Sequence, residues 1–210
     1  MANASKSFKR LLPILLVGLL VQGCSPLAKL VFGISEIDEY RPEQAESFLA
    51  DAQKLLPCEM IVSDSAQYMQ MIHLSEADTD MMHHRSQLVQ VLCFDTDTLC
   101  FYHISCYAQT GIVRINWNHY GSFDHFPPAP TVVADPTRAM TLSRYAAIYP
   151  QLAQQDKRYT VVLFWTNVLR RVSRQALEAV AQSVQGHEAE CRVVLVCSDP
   201  FFASVISQAK

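Results

Sequence analysis

The sequence is poor in glycine, in clustered basic charge and in long apolar runs, and each shortage excludes something. Its six glycines are scattered, with no GxGxxG or GxxxxGK among them. Neither phosphate-cradling loop of nucleotide enzymes is therefore present. No GxSxG or HExxH element occurs, which removes the sequence marks of a hydrolase elbow and of a zinc-protease helix. The seven cysteines form no CxxC pair, and no Cys–His spacing fits a zinc site. Only 18% of residues are charged, 17 basic against 20 acidic, and no long basic run occurs. Phosphate backbones are gripped by clustered Lys and Arg, so nucleic acid is not an expected partner. No internal repeat or low-complexity tract is visible either.

What is present begins at the N-terminus. Lys6, Lys9 and Arg10 precede an uncharged stretch from Leu11 to Val21. That is a positive n-region and an apolar h-region of secretory length. It falls well short of the roughly 20 apolar residues that span a bilayer. Gln22, Gly23 and Cys24 follow at once. The four residues Val21, Gln22, Gly23 and Cys24 resemble the lipobox of bacterial lipoproteins, with Gln22 where a small residue is usual. The resemblance implies cleavage after Gly23 and acylation of Cys24, so that fatty chains and not a helix hold the protein to a membrane. Ser25 stands next with no acidic cluster behind it. By likeness to Gram-negative lipoproteins, that favours the outer membrane with the body facing the periplasm, with the inner membrane or the cell surface as alternatives, and makes another envelope protein a candidate partner.

Cleavage there leaves residues 24–210, with 14 basic and 20 acidic residues and a net charge of −6. Half of the chain is hydrophobic, enough for a true core. Residues 24–40 read as a tether and 41–210 as an α/β domain, with the proline-rich stretch near 121–136 as a candidate division. Pro42 opens a helix in which Ala45, Phe48, Leu49 and Ala52 recur at helical spacing. CEMIVSD reads as a strand, with Ser63, Asp64 or Ser65 capping a second helix. VQVLCFDTDTLCFYHIS reads as a hairpin turning at Asp95–Thr98, and TLSRYAAIYPQLAQ as a short helix stopped near Pro150. YTVVLFW and CRVVLVCSD are continuous apolar runs, as in strands buried on both faces. The helix between them, capped by Thr166 or Asn167 and stopped at Gly186, completes a C-terminal βαβ unit with a parallel pair.

The FW strand leading into a turn and a helix resembles the redox region of thioredoxin-like proteins. The two cysteine places of that family fall here on Leu169 and Val172, and no clear proline precedes the strand at 87. The resemblance thus implies a thioredoxin-like or related sheet flanked by helices, without dithiol catalysis. The CFYHISCYAQ…INWN segment and the FW-strand end also resemble small lipoproteins of Gram-negative bacteria, which implies no activity.

Several groups of residues have chemical potential. Arg170, Arg171 and Arg174 follow the FW strand at a helix start, a place suited to an anion, or else to a solvated face with Arg174 pairing Glu178. Counting from the turn sets Cys93 opposite Cys100, close enough for a candidate disulfide, although cysteines in apolar runs commonly pack as small hydrophobes. Cys93, Cys100 or Cys106 are the candidates for thiol redox chemistry. His119, Asp124 and His125, and separately Asp78, Asp80, His83 and His84, are metal-type residues without a recognised spacing. No cofactor is expected. The preferred reading is a non-catalytic, lipid-anchored binding or assembly module; the alternative is a thiol-dependent redox protein.

Overall fold

The computed structural model describes residues 37, 39–75, 85–104, 117–118, 121–128 and 140–208. The lipobox with Gly23 and Cys24, the thiol of Cys106 and most of the expected tether lie outside them, although Ile37 and Tyr40 already pack against the body.

The chain folds as an α/β body around one five-stranded mixed sheet, consistent with the thioredoxin-like arrangement. In chain order the elements are helix α1 (Pro42–Gln53), strand β1 (Glu59–Val62), helix α2 (Ser65–Ile72), strands β2 (Gln90–Asp95) and β3 (Thr98–Ile104), helix α3 (Leu142–Ala146), strand β4 (Tyr159–Trp165), helix α4 (Arg170–Val184), strand β5 (Cys191–Cys197) and helix α5 (Asp199–Gln208). The sheet runs β1-β5-β4-β2-β3. β1, β5 and β4 are parallel, and β2 is antiparallel to both β4 and β3. The expected βαβ unit is therefore β4-α4-β5, at the centre of the sheet.

Every residue of β4 and β5 is buried, which is what their predominantly apolar sequences require; Thr160 and Arg192 are the polar exceptions. Alternation divides the side chains between two cores. Val161, Leu163, Trp165, Val193 and Leu195 face α1 and α4, where Ala45, Phe48, Ala52, Val172, Ala176 and Val180 meet them. Val162, Phe164, Val194 and Val196 face the other way, onto Tyr68 and Met71 of α2, Tyr145 of α3, and Tyr149. Phe48 stacks flat on Trp165, with ring centroids 3.8 Å apart.

Local chemistry explains the helix boundaries. Pro42 sits in the first turn of α1, where its missing N–H costs nothing. Asp64 caps α2 by accepting from the Gln67 N–H at 2.7 Å, while the Gln67 side chain accepts from the Asp64 N–H, a reciprocal capping box. Thr141 caps α3. Gly186, with φ +84°, turns the chain out of α4, a conformation that glycine adopts freely.

Two expectations are corrected, and one element was not anticipated. The hairpin register slips between Cys93 and Phe94, so that Phe94 opposes Leu99 and Cys93 opposes Phe101. Cys100 is the extra residue of a β-bulge and is not opposite Cys93. The α4 helix starts at Arg170 without a side-chain cap; Thr166 and Asn167 are engaged elsewhere. Finally, α5 extends the chain beyond β5, with Pro200 accommodated in its first turn.

The stacked ring pair is a direct test of this packing. Phe48→Ala should lower stability by about 3–5 kcal/mol in urea unfolding, whereas Leu55→Ala, at a side chain 53% exposed, should stay within about 0.5 kcal/mol. Equal losses at the two positions would contradict the burial assigned to α1.

Candidate functional site

Parallel strands of α/β proteins usually present their chemistry at the carboxyl ends, so the ends of β4 and β5 come first. There the carboxylate of Asp199, 3% exposed, accepts from the Thr166 hydroxyl at 2.6 Å, the Asn167 N–H at 2.7 Å and the Asn167 side-chain amide at 2.7 Å. The Ser198 hydroxyl donates to the Trp165 carbonyl at 3.0 Å, and the Ser173 hydroxyl to that of Thr166 at 2.9 Å. Ser63, at the end of β1, shares a hydrogen bond with the Tyr149 hydroxyl at 3.0 Å. Each hydroxyl is committed to a structural partner, and none is placed with a base as an activated nucleophile. Leu169 and Val172, at the cysteine places of the thioredoxin-like pattern, are 2% and 3% exposed. This edge of the sheet is closed upon itself.

The arginines do not converge. Arg170, Arg171 and Arg174 are all exposed. Arg174 donates to Asp51 of α1 at 2.7 Å, clamping two helices together, and does not pair with Glu178.

The thiols of Cys58, Cys93, Cys100, Cys191 and Cys197 are all free. Burial pushes Cys58 up to about 11 and Cys191 up to about 12, and raises Cys197 as well. Such thiols are poor nucleophiles, because the thiolate is the reacting form. The bulge pair differs. The hydrogen bond between the two thiols holds the Cys93 proton and raises that thiol, with burial adding to the effect. The same bond lowers half-buried Cys100. When protonated, Cys100 donates to the Cys93 carbonyl at 3.2 Å.

The aromatic residues of the proline-rich stretch pack inward. Trp117 and Phe123 are buried against the sheet, and Phe126 stacks on His187 and meets Tyr159 edge-on. The Ser183 hydroxyl of α4 donates to the His125 carbonyl, so residues 121–126 belong to the same body as the sheet. Asp124 accepts from the Asn118 amide at 2.6 Å, and the His125 side chain is exposed. His119, Asp78, Asp80, His83 and His84 lie outside the described residues, among which no group of three metal-type side chains gathers. His103 of β3 sits among the rings of Phe101, Trp117 and Phe123. Burial there lowers its imidazole to about 4.

One cluster was invisible in the sequence. Arg85 is 0% exposed, and among the described residues its Nε and both terminal nitrogens have no hydrogen-bond partner. The hydroxyls of Tyr68 and Tyr145, both fully buried, have none among them either. Burial raises the phenols of Tyr145 and Tyr102, and the Arg85 charge pulls both in the opposite direction; the guanidinium also lies close enough to the Tyr145 hydroxyl to lower that phenol by hydrogen bonding. That approach falls short of normal hydrogen-bond geometry. The Arg85 backbone is pinned by the Gln90 side-chain amide, which donates to its carbonyl at 2.6 Å, while Tyr102 donates to the Gln90 oxygen at 3.0 Å. In HHRSQ, Arg85 reads as the end of a polar loop, and no local pattern announces that it turns inward.

Compared with family models, curated proteins and solved structures, the chain gives no match in any of the three.

The buried imidazole generates a pH prediction. His103 is neutral in the folded protein down to about pH 4, whereas an unfolded histidine protonates near 6.5. Stability from this group is therefore complete above pH 6.5 and is lost as pH falls from there through about 4. The loss amounts to about 3 kcal/mol. Urea unfolding between pH 7 and pH 4 should show this fall in the parent and a flatter profile in His103→Gln; identical profiles would contradict it.

Proposed function

We propose that the protein is a non-catalytic binding body of the bacterial envelope, held to the outer membrane by acyl chains on Cys24 and facing the periplasm. The observation that carries the non-catalytic part is the closed sheet edge: Asp199 is filled by its own three donors, and Leu169 and Val172 stand where the related redox centre would have sulfurs. The binding part is supported by Arg85 and its tyrosines, whose donors are buried and unfilled. Buried polar groups in natural proteins nearly always find partners, so such a cluster fits a place kept for something else. The anchoring part rests on the likeness of Val21–Cys24 to a lipobox. Among the described residues, no helix is long and apolar enough to cross a membrane.

The partners of this reading are the membrane, through the N-terminal lipid, and another envelope protein. Mass analysis of the mature protein is expected to find residues 1–23 removed and acyl chains on Cys24, and Cys24→Ala should leave the protein unacylated. An intact N-terminus with an unmodified Cys24 sulfur contradicts the anchoring.

A second reading, thiol redox chemistry, is favoured by one observation, the lowered thiol of Cys100 beside Cys93. Native alkylation with iodoacetamide at pH 7 separates the two readings. The binding reading expects Cys58, Cys93, Cys100, Cys191 and Cys197 to react slowly until the protein is denatured. Rapid modification of Cys100 that is abolished by prior mild oxidation supports the redox reading instead.

A further inference from the structure

We infer that Arg85 forms the core of a binding site for a small carboxylate anion, with its guanidinium and the Tyr145 hydroxyl as donors and the Tyr68 hydroxyl at the margin. The inference rests on the reading of the protein as a binding body, and it names the ligand class.

The argument begins with charge. Arginine remains protonated in any protein interior, so burial cannot be relieved by losing the proton. An unpaired buried ion is among the most destabilising things a fold can contain. The other buried arginine among the described residues shows the normal solution. Arg192 of β5 pairs with Glu59 and donates to the carbonyls of Gln151 at 2.8 Å and Gln154 at 2.5 Å. Among the described residues, Arg85 has none of this. Among them, no carboxylate is among the groups whose charge acts on Tyr102 or Tyr145; the charged groups that do are Arg85 and Arg144.

Trapped water would satisfy the N–H groups but would leave the charge uncompensated. An anion satisfies both. The planar guanidinium fork matches the two oxygens of a carboxylate in a bidentate pair, and a phenol hydroxyl can donate to the same group. One guanidinium balances one negative charge, so a monoanion suits the site better than a phosphate dianion, which would leave excess charge in the core. The rings packed on the two phenols are apolar: Phe94 lies edge-on to Tyr145 at 5.7 Å, and Phe201 lies 4.6 Å from Tyr68. Such surroundings favour a ligand with a small apolar body behind its carboxylate.

The test is thermal unfolding of the purified full protein in detergent, with acetate titrated against chloride at equal ionic strength. Acetate is expected to raise Tm saturably, by roughly 5 °C or more at a hundredfold excess over Kd. Tyr145→Phe, which removes a single oxygen, should fold and lose much of that shift. Arg85→Met should lose all of it, yet be no less stable than the parent without acetate, because removing an uncompensated buried charge is not a loss. Inorganic phosphate should give a smaller shift than acetate. The proposal is overturned if acetate has no effect beyond chloride, if the shift survives unchanged in both variants, or if Arg85→Met is strongly destabilised without any anion, since Arg85 would then already be paired within the chain. A phosphate shift equal to or above that of acetate overturns the carboxylate assignment. None of these outcomes depends on the state of Cys24, so failure here leaves the anchoring question separate.

Discussion

Two neighbouring parallel strands with no solvent-exposed residue set the terms for the whole structure. β4 and β5 are apolar except for Thr160 and Arg192 and are buried on both faces, so the sheet must be covered twice. α1 and α4 cover one side, and α2, α3 and Tyr149 the other. The flanking strands extend the same sheet, with β1 on the β5 edge and the β2–β3 hairpin on the β4 edge. A sheet covered in this way has little room for polar groups, and those that enter it must be matched.

The molecule meets that demand in two contrasting ways. At the carboxyl ends of β4 and β5, Asp199 gathers Thr166 and Asn167 across 33 and 32 positions of sequence and closes the edge. Arg192 is likewise fully met. On the α2 and α3 side, Arg85 and two phenols are enclosed without partners among the described residues. The same physics that makes Asp199 a structural group makes Arg85 an incomplete one. The body is sealed where α/β proteins usually react and, among the described residues, unfilled at a buried cation.

Much of the scaffold was legible in the sequence because its signals are local. The repeat of Ala45, Phe48 and Ala52 after Pro42, the largely apolar runs at 159–165 and 191–197, and the cap candidates Ser63, Asp64 and Ser65 each describe their own element. The missed features depend on distant partners. Thr166 and Asn167 have the chemistry of helix caps, and nothing nearby reveals that a carboxylate more than thirty residues later takes their donors instead. Counting inward from the hairpin turn set Cys93 against Cys100, but a bulge inserts one residue and shifts the register. Arg85 is the extreme case, since its burial comes from elements on both sides of it in the chain. The three arginines after the FW strand looked like a cluster because they are close in sequence; in space they point to solvent and to Asp51.

The central claim is that Arg85 is a buried cation awaiting an anion, and the guanidinium itself can report on it. With 15N-labelled arginine, the Arg85 Nε–H resonance should exchange slowly with water and shift saturably as acetate is added, while those of exposed Arg170 and Arg171 stay in place. An Arg85 signal that exchanges as fast as the exposed ones, or that ignores the carboxylate, would contradict the account.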